Sequence, residues 1–242
     1  MKPRLLDLFC GAGGCTRGYE EAGFEVVGID IAPQPNYCGP DFIQTDALQA
    51  QRTLIDGGAV GDYVLEDFDA IHASPPCQFF TQMRASWRAQ GVNDGYVDLL
   101  TPTLGILRTL KSPYVVENVV GAGKAMRATL QLHGGMFGLG VHRPRLFESN
   151  VLIPASRAPI NTEPIGVYDS RPRGKTHHRT RLNGNGKGRS EMRIARTLEE
   201  GQAAMGIDWM QWPELKEAIP PAYTRFIGEY LLQSIHSNRS AA

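Results

Sequence analysis

Three observations predict an α/β protein with a doubly wound, mostly parallel sheet and a small inserted lobe. Short apolar runs recur at residues 5–9, 25–29, 42–46, 69–73 and 114–116, each of a length that suits a strand buried on both faces. Between the first two lies a glycine-rich loop, Cys10-Gly11-Ala12-Gly13-Gly14, which opens a helix from about Thr16 to Ala22. Past Ser149 the apolar runs give way to a basic stretch laced with glycine, where the lobe is expected.

With 242 residues, 42% of them hydrophobic, the chain can bury a full core and suits one large domain with a small appendage. Its 25 basic residues balance 25 acidic ones, so net charge alone points to no partner. Cys10, Cys15, Cys38 and Cys77 form no C-x-x-C pair, which argues against a zinc site and a disulfide framework. A reducing cytoplasmic setting is expected, with no metal and no membrane: no run reaches membrane-spanning length, and the amino terminus lacks a secretory apolar segment. No internal repeat is found.

The order of elements places the chemistry, because ligands of an open α/β sheet gather beyond the carboxyl ends of its strands. After the first strand the glycines permit a tight turn and a close approach to a ligand, with a helix amino terminus behind them. The second strand ends in Asp30, sixteen residues past Gly14, where a carboxylate commonly takes ribose hydroxyls. The spacing Phe9-x-Gly11-x-Gly13-Gly14 differs from G-x-G-x-x-G and adds an aromatic, so a methyl donor competes with a dinucleotide. Pro33, Pro35, Gly39 and Pro40 break the next stretch into loop, and the third strand closes on Asp46.

The fourth strand runs into Ala73-Ser74-Pro75-Pro76-Cys77-Gln78. The prolines cannot continue a ladder, so Cys77 starts a rigid loop, as a nucleophile or as a small buried hydrophobe. Residues 79–93 mix polar, basic and aromatic groups and read as a lid or a surface loop. A helix over about 96–110 follows, with Val97, Leu100, Leu104 and Leu107 on one face and Pro102 kinking its middle. Glu117 ends the fifth strand on the rim that carries Cys77, either as a proton donor or as a structural charge. Arg143 and Arg145, at the head of a later strand, should point to one face by alternation.

Asp7-Leu8-Phe9-Cys10-Gly11-Ala12-Gly13-Gly14, Pro76-Cys77-Gln78, Glu117-Asn118-Val119 and Arg143-x-Arg145 occur in the order seen in DNA (cytosine-5) methyltransferases. The chain resembles a short bacterial or phage-type member of that family, well over 1–149 and loosely beyond. The resemblance implies a class I methyltransferase form of the Rossmann-like fold. It implies methyl transfer from S-adenosylmethionine to carbon 5 of a flipped-out cytosine in double-stranded DNA, through a covalent cysteine adduct. Cys77 would be the nucleophile, Glu117 the partner of ring nitrogen 3, Arg145 the holder of the base oxygen and of Glu117, and Arg143 the support of the catalytic loop. Phe9 would stack on adenine, Asp30 take the ribose and Asp46 the adenine amine. Gly11, Ala12, Gly13, Gly14, Ile31, Ala47 and Pro75 would complete the donor site.

The implied organisation is a catalytic and cofactor-binding domain over 1–149, a target-recognition region over 150–195, and helices over 196–242 returning to the catalytic domain. Nine of the 25 basic residues fall within 170–196, opposed by Glu191 alone, which suggests a flexible arm drawn to phosphates. Gln78, Thr81, Arg84, Arg171, Arg173, Lys175, Arg179 and Arg181 are the expected DNA contacts, and the protein is expected to act as a monomer. A helix should start near Arg196 and a last one after Ile219-Pro220-Pro221. Val141 stands where the family has glutamine, and residues 219–223 replace its last Asn-x-Val. The rival readings are the same chemistry on transfer RNA and a catalytically silent DNA-binding relative.

Overall fold

A computed structural model describes residues 2–80, 95–154, 164–168, 170–172, 176–181 and 188–241. Seven strands form one sheet: β1 Arg4–Leu8, β2 Glu25–Asp30, β3 Asp41–Gln44, β4 Ala70–Ala73, β5 Tyr114–Val119, β6 Leu130–Leu132 and β7 Arg145–Ser149. Their order is β3-β2-β1-β4-β5-β7-β6, with β1 to β5 parallel and β7 antiparallel to both neighbours. The α/β expectation holds, and all five sequence-read strands are present.

Both faces of the sheet are covered. On one side α2 (Ala47–Ile55) and α3 (Leu100–Leu107) pack with Leu6, Leu8, Val27, Ile29, Ile71 and Val116. On the other, α1 (Gly14–Ala22) and the last helix pack with Leu5, Val26, Ala70, Val115 and Phe147. Alternation along buried parallel strands sends successive residues to opposite cores, which is why each apolar run reads as continuous in the sequence.

The passage from β2 to β3 uses no helix. Residues 31–40 fold around Tyr37, whose ring fills the space beside Gly28 and Gly39 and leans on Phe42 at 5.3 Å between centroids. The Tyr37 hydroxyl lies 3.2 Å from the Thr16 hydroxyl of α1, so this proline-rich connection lies on the α1 side, as a right-handed crossover requires.

Two helix expectations change. The helix read over 96–110 starts at Leu100, with Asp98 accepting from the Thr101 amide (3.0 Å) and hydroxyl (2.6 Å). Pro102 therefore falls in the first turn, where its missing N–H costs no bond, and Val97 lies outside the helix and 71% exposed. Asp46 lies past the end of β3 as the N-cap of α2, its carboxylate accepting from the Gln49 amide at 2.8 Å.

After β7 the chain forms a hairpin, β8 Thr176–Arg181 paired antiparallel with β9 Gly188–Arg193. The basic stretch, expected as a flexible arm, thus carries regular strand pairing over twelve residues. Beyond it come α4 (Leu198–Met205), capped by Thr197, the short α5 (Trp212–Leu215), and α6 (Pro221–Ala241). A third apolar cluster joins Val141, Ile165, Val167 and Ile194 to Met205, Ile207, Met210 and Trp212. No helix among the described residues is long and apolar enough to cross a membrane.

α6 closes the structure against α1. Tyr223, Ile227, Leu231 and Ile235 recur every four residues and are buried, each contributing roughly 1.5–3 kcal/mol by leaving water. The approach is close because Gly18 has no Cβ: one placed there would strike the Pro221 carbonyl and the Thr224 hydroxyl. Gly18→Ala should cost about 1–3 kcal/mol and lower the melting temperature by about 5 °C, read by calorimetry.

Candidate active site

The carboxyl ends of β1, β2, β4 and β5 form one rim, and backbone bonds tie their loops together. The Ser74 amide donates to the Leu8 carbonyl (3.1 Å), the Cys10 amide to Ile29 (3.1 Å) and the Asn118 side chain to the Pro75 carbonyl (2.9 Å). Pro75 is buried and Pro76 exposed, and a 3-10 turn over Gln78–Phe80 follows, so Cys77 sits half-buried at a fixed corner. A Cβ on Gly121 would strike the Phe80 carbonyl, showing how closely the loop after β5 packs on this turn.

Glu117, in β5, is 5% exposed, and Arg145, at the head of β7, places its Nε 2.9 Å from Glu117 Oε1. The short distance is a contact of charges and not an aligned hydrogen bond, since Oε1 has no hydrogen-bonding partner among the described residues. Burial pushes the Glu117 pKa up, while Arg145, Arg143 and the Ser74 hydroxyl pull it down; the net result lies above an ordinary glutamate. Burial also raises the Cys77 thiol, Glu117 adds to the rise, and Arg145, more than Arg143, opposes it. Thiol, carboxyl and guanidinium thus share one electrostatic environment.

Arg143 behaves differently from the expectation. It precedes β7 in a left-handed conformation (φ 35°), so strand alternation does not set its direction. Its guanidinium donates to the carbonyls of Lys216 (2.7 Å) and Val167 (3.3 Å), and the Tyr223 hydroxyl donates to its own carbonyl (2.9 Å). Among the described residues, these bonds tie the head of β7 to the carboxyl-terminal segments. Burial, then the charge of Arg145, push its pKa down to about 9.

The donor-site residues divide by what they face. Phe9 closes β1 at φ 60°, a left-handed setting uncommon outside glycine and frequent at binding sites. Gly11, also left-handed (φ 50°), has open space where a side chain would stand. Gly13 instead packs on Cys38 and Tyr37, and Gly14 on the backbone of Ile219, so these two serve packing of the protein on itself. Asp30 accepts from the amides of Gly11 (3.0 Å) and Ala32 (2.9 Å), which orients its carboxylate at the end of β2. Beside it Ile31 is 68% exposed. Ala47 and Ala12 are buried in apolar clusters, and the Ala12 carbonyl accepts from Trp209 Nε1 at 2.9 Å.

An adenosine-containing methyl donor fits this set: an open left-handed glycine, an oriented carboxylate, an exposed aliphatic face and a second carboxylate at Asp46. Beneath the loop Asp7 is fully buried, accepts from the Thr16 hydroxyl (2.6 Å) and leaves Oδ1 without a partner; burial raises its pKa to about 7. An open depression of about 700 Å³ lined by Arg17, Glu21, Gln202 and Trp209 contains none of these groups.

Of the expected DNA contacts, Gln78 lies in the turn after Cys77 and Arg171 is exposed. Arg179 and Arg181 fall in β8, and Thr81, Arg84, Arg173 and Lys175 lie outside the described residues, as do 81–93 of the expected lid. Sequence reasoning missed Asp7, Tyr37, Trp209 and Tyr223. Only Asp7 carried a local sign, a carboxylate in the middle of a buried apolar strand.

The sheet order defines a doubly wound α/β fold whose rim carries a thiol, a carboxyl and a guanidinium together. Residues 3–131, more than half of the chain, match the family of C-5 cytosine-specific DNA methylases, and the chain belongs to that family. It is 28% identical over 146 residues to the Type II methyltransferase M.AquIA of Picosynechococcus sp., covering 54% of this chain and 56% of that one. It is 28% identical over 130 residues to M.AgeI of Thalassovita gelatinovora, covering 49% and 28%. The matches thus span well under two thirds of these relatives. A putative DNA modification methyltransferase from an E. coli prophage shares the fold, with a TM-score of 0.57 at 14% identity over 97% of this chain and 99% of that one.

A raised thiol pKa has a direct consequence, because only the thiolate reacts. Alkylation of Cys77 by iodoacetamide, followed by peptide mass spectrometry, should reach half its maximal rate above the usual thiol value of about 8.5. Arg145→Gln should slow it about threefold or more near neutral pH, since the guanidinium favours the charged sulfur.

Proposed function

We propose that this protein methylates carbon 5 of cytosine in double-stranded DNA through a covalent adduct with Cys77. The observation that carries the reading is the placement of Cys77 and Glu117 at the carboxyl ends of the adjacent strands β4 and β5, with Arg145 brought to Glu117 by the head of antiparallel β7, on the same rim as the open glycine after β1.

Carbon 5 of cytosine is a weak nucleophile, so the Cys77 thiolate first forms a bond to carbon 6 and moves an electron pair into the ring. Glu117, whose burial favours the protonated carboxyl, shares its proton with ring nitrogen 3 and offsets the charge that gathers there. Arg145 holds the Glu117 carboxyl and offers its remaining donors to the base oxygen. Phe9, Gly11, Asp30, Ile31 and Asp46 hold S-adenosylmethionine, which when bound supplies an electrophilic methyl group. Carbon 5 would take that methyl group, the donor leaving as the neutral thioether S-adenosylhomocysteine; loss of the carbon 5 proton to water then lets the sulfur–carbon 6 bond break, the electron pair returning to Cys77 as the thiolate. A duplex shields these atoms, so the base must leave the stack at a cost of roughly a few kcal/mol.

The region 150–195, with Arg171, Arg173, Lys175, Arg179 and Arg181, is the proposed target-recognition part, acting first through phosphates. The Cys77 turn, with Gln78, Thr81 and Arg84, meets the DNA near the flipped base. A DNA-modifying role of the kind named for the Type II relatives follows.

Duplexes carrying 5-fluorocytosine should trap a covalent adduct at Cys77 in the presence of the donor, because fluorine blocks the last elimination. Trapping on RNA alone would overturn the substrate assignment. Cys77→Ala should retain donor binding by calorimetry and lose transfer to below a few per cent, roughly the loss seen when a nucleophile is removed. Neutralising Arg171, Arg173, Arg179 and Arg181 should flatten the salt dependence of DNA binding by about one unit of slope per lost phosphate contact.

A further inference from the structure

A line of polar groups runs beneath the central strand β4 toward Glu117 on the neighbouring strand. The Tyr19 hydroxyl of α1 lies 2.8 Å from His72 Nδ1, and His72 Nε2 lies 2.7 Å from the Ser74 hydroxyl. Tyr19 and His72 are fully buried. The parallel register pairs Ala73 with Val116, which brings Ser74 level with Glu117 on the neighbouring strand and on the same face. From that neighbouring position the Ser74 hydroxyl draws the Glu117 pKa down. The mechanism above uses none of these three residues, yet burying an imidazole, a phenol and a hydroxyl is costly unless they are bonded together.

The direction of each bond follows from the last one. In the arrangement inferred below, Ser74 turns its proton to the neighbouring carboxyl, so its oxygen accepts from His72 and the imidazole proton sits on Nε2. Nδ1 is then an acceptor and takes the Tyr19 proton. Burial holds the imidazole neutral, with its pKa lowered to about 3, so the line carries no charge of its own.

We propose that Tyr19, His72 and Ser74 are positioning residues for Glu117: each fixes the donor direction of the next, so that Ser74 always presents a proton to the carboxyl. This rests on the reading of Glu117 as the partner of ring nitrogen 3. With one acceptor site occupied by Ser74, a proton held by Glu117 is directed to the site that faces the base. The other titratable groups acting on Glu117 or acted on by it are Arg145 and Arg143 before and in β7, Cys77 in its loop, Cys15 in α1 and Tyr223 in α6. Cys15 also touches the line, its sulfur 3.7 Å from the Ser74 hydroxyl.

The test follows the Glu117 carboxyl by carbon-13 NMR through a pH titration of the full chain, and in parallel kcat and KM on a cytosine duplex. Ser74→Ala removes a donor that favours the charged carboxyl, so the Glu117 pKa should rise by about one pH unit, a tenfold change in proton affinity. At the same time kcat should fall about tenfold with KM for DNA unchanged, as for lost alignment of a proton donor. Ser74→Thr should restore both. Tyr19→Phe, which removes one oxygen from the far end, should move the titration the same way by less, and it serves if Ser74→Ala does not fold. An unmoved Glu117 titration in Ser74→Ala or, failing that, in Tyr19→Phe, or no rescue by threonine, overturns the proposal. A shifted titration in a protein whose wild type transfers no methyl group to DNA would leave the line of bonds standing and remove the assigned function instead.

Discussion

The burial of one carboxyl beside one guanidinium sets the terms for the whole rim. Removing Glu117 from water is unfavourable, and Arg145 at 2.9 Å offsets only part of that cost because the contact is not an aligned hydrogen bond. The carboxyl is therefore held between two states: burial favours the proton, Arg145 favours its loss. A better-aligned pair would give a plain carboxylate, and a carboxyl without the arginine would keep its proton throughout. A group poised to share a proton needs both influences and a geometry that lets neither dominate.

The sheet supplies that geometry through a change of direction. Glu117 lies on a parallel strand, whereas Arg145 comes from β7, antiparallel to it, with Glu117 opposite Phe147 and Val119 opposite Arg145. The head of β7 therefore meets the carboxyl end of β5, where a fully parallel neighbour would have presented its own carboxyl end. Arg143 and Tyr223 then fix that head: one donates to the carbonyls of Lys216 and Val167, the other to the carbonyl of Arg143. Glu148 anchors the middle of β7 through a two-point contact with Arg108 at 2.7 and 2.8 Å. The carboxyl-terminal segments thus act on the site by holding an arginine in place.

Most of the sheet was legible because buried parallel strands leave a strong mark, a short apolar run followed by a glycine, a proline or a charge. Cys77, Glu117 and Arg145 were legible as positions for the same reason, each falling at an end of such a run. What escaped depends on contacts remote in sequence. Gly14 and Gly18 look like ligand-loop and helix glycines, but their bare α-carbons admit Ile219 and Pro221, some 200 residues away. Trp209 reaches the Ala12 carbonyl across a similar distance, and no local pattern announces it. The boundary of α3 was misjudged because Val97 continues the apolar spacing, whereas Asp98 caps a helix that begins after it. The basic stretch was read as an arm because glycine and charge dominate its composition, yet alternate pairing from Thr176 to Arg193 needs only backbone groups.

Uncharged partners behind Glu117 and charged ones in front of it divide the labour of the site. An arginine acts on every anion nearby, so Arg145 lowers the proton affinity of Cys77 as well as that of Glu117. A neutral hydroxyl acts only at close range, and Ser74, level with Glu117 on the neighbouring strand, is placed to adjust the carboxyl in the arrangement proposed above. Because the imidazole behind it stays neutral through the physiological range, that adjustment does not vary with pH as a second charge would. Burial raises the proton affinity of both the thiol and the carboxyl on this rim, and Arg145 opposes that rise at both groups at once.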